Sequence, residues 1–294
     1  MRRVRAAATA LSLVLVLGST TVGTVGVAAA QGGNDKESLE ATDVGVTSDE
    51  IRVAVLADIE NPFQPGLFQG SADALVGFAK FINATGGLAG RDLEVDVIDT
   101  HLSADDTRNA IVDACENDFA IVGTTSLFVN NIDDMVGCVD SAGKAVGLPD
   151  FPVLTTEPVH QCSPVSHPVN PPTLDCATVD QHPQTYRANT GPTSYYLKKN
   201  GSLSGAFLYP SDLKSAKDSQ VPIFSAQQKK GIKLDAEYDV SARAPQTVYT
   251  PIAQAIKEDG TTYARSGLAF SSTVSLRKEA KRPAVLLPQC LSSG

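Results

Sequence analysis

The sequence predicts an α/β protein made of two doubly wound lobes, each a parallel sheet flanked by helices. Three observations carry that expectation. From Ile51 onward, short apolar runs rich in β-branched residues alternate with helix-like segments, the pattern of parallel strands connected by right-handed crossovers. A proline-rich stretch over 157–183 interrupts the alternation. The same alternation then resumes, which sets a first lobe over 44–188 and a second over 189–282, followed by an irregular tail over 283–294.

The elements follow in order. MRRVR, the apolar stretch from Ala6 to Leu17 and the small residues Val27 to Ala30 give a positive start, an apolar middle and a small-residue cleavage site. Residues 1–30 therefore read as a secretory signal peptide cut near Ala30, and the protein as secreted or held in the cell envelope. The polar run 31–43 cannot bury enough apolar surface to order itself and reads as a flexible leader. IRVAVLADI is a buried parallel strand. After the loop ENPFQPG, Phe68, Ala72, Leu75, Val76, Ala79 and Ile82 recur at helical spacing, so one face of that helix is core. LEVDVIDT is the second strand and ADDTRNAIVDACEND the second helix, with Asp105 and Asp106 at the positive end of its dipole. FAIVGTTS is a third strand, NNIDDMVGCVDSAG a third helix and FPVLTT a fourth strand.

The stretch 157–183 carries six prolines, Cys162 and Cys176, and three of the chain's four histidines. A loop this long inside a compact domain calls for a staple or a function. Beyond it, TSYYLKKN, SAKDSQVPIFSAQQKKG, VYTPIAQAIKEDG and VSLRKEAKR read as helices. LSGAFLYPS and LDAEYDV read as strands, and SGLAFSST joins the last two helices. A ligand of such a protein sits in the crevice beyond the carboxyl ends of the strands.

The formal net charge is -9, and loss of Arg2, Arg3 and Arg5 with the signal peptide makes the mature chain more acidic still. No cationic footprint exists for nucleic acid or an anionic membrane. No second long apolar run is available to span a bilayer. Five cysteines in an oxidising compartment predict disulfides and one thiol left over. The economical pairing is Cys115 with Cys138 and Cys162 with Cys176, leaving Cys290; other connectivities stay open.

INATGGLAGRDLEV, residues 82–95, looks at first like a phosphate cradle. A Rossmann dinucleotide loop needs a strand before its glycines and a helix after them, so that the pyrophosphate meets a helix N-terminus. Here the helix precedes and the strand follows. Gly86 and Gly87 then end a helix with positive backbone angles, while Gly90 and Arg91 turn the chain into the strand. His160, Cys162, His167, Cys176 and His182 have zinc-ligand chemistry, but irregular spacing and an oxidising compartment favour the disulfide, with no metal and no cofactor. No G-x-S-x-G elbow, H-E-x-x-H or phosphate-loop motif occurs, so no enzyme is expected. Asp58, at the end of the first strand, either faces the cleft or caps the turn. His101 reads as a solvated loop residue rather than a base.

GVTSDEIRVAVLADI, then GFAKFINATGGLAGRDLEVDVID, DDTRNAIVDACENDFAIVGTTS and FPVLTT, in this order behind a signal peptide, resemble the extracellular solute-binding proteins of ABC importers. The similarity is to the leucine/isoleucine/valine-binding type, the type 1 periplasmic binding proteins, and covers the chain from Val44 to Lys281. It implies lobes joined at a hinge that close over a small polar solute, such as an amino acid or amide, and a monomeric receptor that hands it to an ABC permease. A ligand-sensing ectodomain of the same fold, or a non-functional fragment, is the alternative. By position in the motif, Thr124, Thr125 and Ser126 match the first-lobe loop that receives a ligand carboxylate, and Thr155 and Thr156 match the next. Both loops open onto helices or turns, where N–H donors favour an anion. Ser211 in YPSDLKS and Ser271 in FSST, beside Ser272, are second-lobe hydrogen-bonding candidates or ordinary loop polarity. Amino-acid binders of the family offer a tyrosine after the first second-lobe strand and an acid after the next. Here Tyr209 falls inside the strand end and FSST offers hydroxyls alone. The family's chain then returns to the first lobe and completes both sheets, whereas this one departs at KRPAVLLPQCLSSG. The second lobe is thus expected to be incomplete, with Pro283 breaking its last helix and an apolar sheet edge left uncovered.

Overall fold

The structure, a computed structural model, describes residues 39–178, 186–282 and 291–293. The expected signal peptide and the expected leader up to residue 38, with His182, Pro183, Pro283 and Cys290, lie outside the described residues. The first sheet contains β1 (Glu50–Ala57), β2 (Asp92–Asp99), β3 (Ala120–Val122) and β4 (Asp150–Phe151), all parallel, in the order β2-β1-β3-β4. Helices cover both faces. Val53, Leu93 and Ala120 pack with Ala79 of α1 (Gln69–Ala84) on one side. Ala54, Leu56 and Ile121 pack with Ala110, Ile111 and Ala114 of α2 (Ala104–Asn117) on the other. A strand covered on both faces has no solvent side, which is why β1 reads as an unbroken apolar run rather than an alternating one.

The glycine segment ends α1 as its residue order requires. Gly86 and Gly87 have φ of 110° and 77°, and a Cβ on Gly87 would lie 2.1 Å from the carbonyl oxygen of Arg91. Asn83 clasps β2 by donating to the Leu93 carbonyl and accepting from its N–H. Arg91 donates to the carbonyls of Thr47 and Glu40 at 2.6 and 2.8 Å, fixing the chain that leads into β1. Ser103 caps α2 by accepting from Asp106 N at 3.2 Å, with Asp105 and Asp106 in the first turn.

Three first-lobe elements are shorter than the sequence pattern suggested: of FAIVGTTS only Ala120–Val122 is strand, the chain leaving the ladder at Gly123 with φ of 81°. In NNIDDMVGCVDSAG only α3 (Asp133–Val136) is helical. Cys138 is bonded to Cys115 of α2, with Cα atoms 5.7 Å apart, and Asp140 then turns the chain by accepting from Ala142 N and Lys144 N. FPVLTT contributes one residue to β4, because Pro152 lacks the N–H a continued ladder needs.

The proline-rich stretch holds α4 (Pro158–Gln161) and the second disulfide, Cys162–Cys176, with Cα atoms 5.4 Å apart. Both pairings expected from the sequence are formed. Gln161 Oε1 accepts from Thr173 N, Thr173 Oγ1 and Leu174 N, so α4 is tied to the far side of the loop twice.

The second sheet follows α5 (Gly191–Asn200). It consists of β5 (Leu203–Pro210), β6 (Ile232–Val240), β7 (Tyr263–Ser266) and β8 (Leu291–Ser293), parallel, in the order β6-β5-β7-β8. Its helices are α6 (Lys214–Lys230), α7 (Gln246–Glu258) and α8 (Phe270–Ala280). β7 ends where SGLAFSST begins: after Ser266 that segment is a turn at Gly267 and Leu268 and then the start of α8. Phe207 and Phe224 meet at 4.3 Å between ring centres under α6, while Leu208, Tyr249, Ile256 and Leu276 fill the α7 and α8 side. Each sheet therefore repeats one topology, with the first strand inside and the chain reversing its direction of growth between first and third strands. Among the described residues no helix is long and apolar enough to cross a membrane.

Candidate ligand-binding cleft

In doubly wound sheets the crevice opens at the point where strand order reverses, beyond the carboxyl ends of the strands. In the first lobe that point is flanked by the loops after β1 and β3. In the second it is flanked by the loops after β5 and β7. The loops of the two lobes meet: the Arg243 guanidinium, just after β6, lies over the ring of Phe63, just after β1, at 4.4 Å from its centre.

Asp58 is fully buried at the mouth of β1. Its Oδ1 accepts from Thr100 Oγ1 at 2.6 Å and Leu102 N at 2.9 Å, and its Oδ2 from Leu127 N at 2.8 Å. The carboxylate therefore knots together the loops after β1, β2 and β3. Thr124 donates to Asp150 Oδ1 at 2.9 Å. Thr125 shares a hydrogen bond with Ser71 of α1 at 2.9 Å, and Ser126 with Thr107 of α2 at 2.8 Å. All three are buried. Val153 N and Leu154 N both donate to the Thr124 carbonyl. The hydroxyls of this loop are thus engaged with the lobe's own helices and strands.

Asp150 centres a second buried knot. His160 Nε2 and Ser166 Oγ each lie 2.7 Å from its Oδ2, which holds α4 against β4. Thr156 is buried and donates to the Leu127 carbonyl at 2.6 Å. Thr155, half-buried beside it, has a hydroxyl with no partner among the described residues. In the second lobe, Ser211 is exposed and donates to Asp212 at 2.9 Å. Ser271 is exposed on the first turn of α8, and Ser272 is buried. Tyr209 points its hydroxyl to Glu237 at 3.2 Å; burial, then the Glu237 charge, raise its pKa.

A cavity of 220 Å³ lies between the lobes, with Thr156, Glu157 and Gln161 on one wall and Asp218, Ser219 and Pro222 of α6 on the other. Among the sequence-predicted site residues, Thr156 is the one that lines it. Glu157 carries a raised pKa, from burial first and the Asp218 charge second, partly offset by Lys214 and His160. Sequence reasoning missed Glu157, Asp218, Phe63 and Arg243. Glu157 directly follows the noticed LTT, and Arg243 sits in the SARAP loop after β6, so position after a strand was the available signal.

The fold recurs in known structures. The chain superposes on a periplasmic binding protein from Burkholderia mallei with TM-score 0.55 and 16% identity, covering 84% of this chain and 60% of that one. A fatty acid ABC transporter substrate-binding protein from Thermomonospora curvata gives 0.56 and 14%, over 83% and 58%. A leucine-, isoleucine-, valine-, threonine- and alanine-binding protein from Brucella ovis, in its closed conformation, gives 0.55 and 13%, over 79% and 57%. The fold is that of the periplasmic and extracellular ligand-binding proteins of ABC transporters, and this chain spans less than two thirds of the length of each of these structures. No protein-family model and no curated protein sequence matches the chain.

Proposed function

We propose that this protein is an extracytoplasmic solute-binding receptor that captures a small polar molecule between its lobes and delivers it, as a monomer, to an ABC-type permease. The observation that carries the reading is the meeting of carboxyl-end loops from two parallel sheets, with Arg243 over Phe63 and a cavity walled by residues of both lobes. Its 220 Å³ is below the volume of a drug-sized site, which suits a solute of amino-acid or amide size. The Brucella ovis protein, named for the amino acids it binds, supports that ligand class. The half-buried Thr155 hydroxyl, next to the wall residue Thr156, is offered to a ligand carboxylate or amide. Glu157, on the wall, offers an acceptor to an ammonium or amide N–H. Export by the N-terminal segment agrees with two disulfides in one chain.

A thermal-shift screen of the chain from Gln31 onward against amino acids, short amides, organic acids and urea tests the proposal. One solute class is expected to raise the melting temperature by several degrees, and Thr155→Ala to weaken its affinity about fivefold or more, the loss of roughly one hydrogen bond. A cooperative melt that no solute shifts would sink it.

A further inference from the structure

We infer that Glu60, Asp99 and His101 form a binding site for a zinc-like divalent metal ion on the first lobe. The three come from adjoining loops: Glu60 follows β1, Asp99 closes β2 and His101 lies two residues on. One ligand-type atom from each lies within 4.8 Å of the other two. His101 Nε2 is 3.6 Å from Asp99 Oδ2. That is too long for a hydrogen bond, and close to the ~3.4 Å separating two donors that each sit ~2.1 Å from one tetrahedral ion.

Three further observations favour an ion over a solvated surface cluster. First, Asp99 is fixed by the backbone. Its Oδ1 accepts from Ile59 N at 3.0 Å and His101 N at 2.9 Å, and its Oδ2 from Glu60 N at 2.8 Å. Oδ2 keeps acceptor capacity on the side of His101. Second, Asp106 Oδ2 lies 3.5 Å from His101 Nδ1. That distance is beyond a hydrogen bond, but it sets a second carboxylate beside Nδ1, on the side where metal-binding imidazoles are oriented by carboxylates, and leaves Nε2 to the ion. Third, among the described residues no lysine or arginine pairs within 4.0 Å with Glu60, Asp99 or Asp106, whose ion-pair partner, where there is one, is His101. Asp58 lies beneath, bonded to Thr100 and Leu102 on either side of His101. This local excess of carboxylates is what a divalent cation neutralises.

The donor set selects the ion. Imidazole favours zinc-like metals over magnesium and calcium, and the absence of thiolate from the trio disfavours copper(I). Bound there, the ion ties the loop that carries Phe63 to the end of β2.

Isothermal titration of the full chain with zinc chloride at pH 7.5, paired with melting curves, tests the assignment. The expected result is saturable binding of one ion per chain at this site, with a melting temperature that rises with zinc, returns on addition of EDTA, and stays put with equal magnesium or calcium. Glu60→Gln and His101→Ala alter exposed side chains, so both variants keep their circular dichroism spectra and melt cooperatively. Each is expected to lose tenfold or more in zinc affinity. No saturable zinc binding, zinc binding unchanged in both variants, or a calcium response equal to that of zinc would overturn the assignment.

Discussion

At the scale of the residue, the most consequential side chain outside the cleft is Asp118. It closes α2, is 2% exposed, and neither carboxylate oxygen has a hydrogen-bond partner among the described residues. Burial first, then the negative charge of Asp96, push its carboxyl from 3.8 up to about 7, against the pull of Arg52. A folded-state pKa above the unfolded one means that the folded chain holds the proton more tightly. This group's contribution is therefore fully present below the unfolded pKa, is lost as pH rises through the folded value, and is flat above it. Asp118→Asn should make the urea midpoint less sensitive to pH over that window and raise stability at pH 8 by roughly 1–3 kcal/mol. A wild-type slope in the variant would show that other groups set the pH dependence. Gly87 illustrates the opposite case, a residue legible from sequence. Its place between a helix pattern and a strand pattern already required a positive φ, and the close approach of Arg91 supplies the reason no side chain fits.

At the scale of the element, strands with strong apolar patterning were readable and short, tertiary-determined pieces were not. β1, β2, β5 and α2 lie where periodicity placed them, since burial on one or both faces dictates their composition. α3 and β4 shrank because a disulfide, a turn and Pro152, none of them periodic signals, decide their limits. The site residues were legible as positions and not as orientations. The family resemblance pointed to Thr124, Thr125 and Ser126, and a place at a strand end to Asp58, but nothing local says that their polar groups turn inward to α1, α2 and neighbouring loops. The disulfide loop that carries α4 offers a test at this scale. Cys162–Cys176 closes a loop of sequence separation 14, for which chain-entropy reasoning gives about 3 kcal/mol. The Cys162→Ser/Cys176→Ser double variant should lose that much in urea melts and, because Gln161 lines the cavity, bind solute more weakly. Unchanged affinity would detach the staple from the cleft.

At the scale of the whole molecule, Arg243 over Phe63 marks where the lobes meet. A cation–π contact of about 0.5–2 kcal/mol is large enough to bias an opening equilibrium between nearly balanced states. Arg243→Ala is expected to leave secondary structure intact and to enlarge the radius of gyration measured by small-angle X-ray scattering without solute, with added solute restoring the smaller value. Equal radii for wild type and variant would mean that the contact has no part in closure. The knot at Asp58 reaches further, into how the chain arrives at its native state. Its partners Thr100, Leu102 and Leu127 lie 42, 44 and 69 residues away along the chain, so the carboxylate finds them only after both crossovers after β1 have docked. Contacts of such separation are costly to close early. Asp58→Asn should accordingly speed unfolding and leave the refolding rate nearly unchanged, a φ-value near zero. The residue that organises the mouth of the lobe would then act as its latch, set last on the way in and released first on the way out.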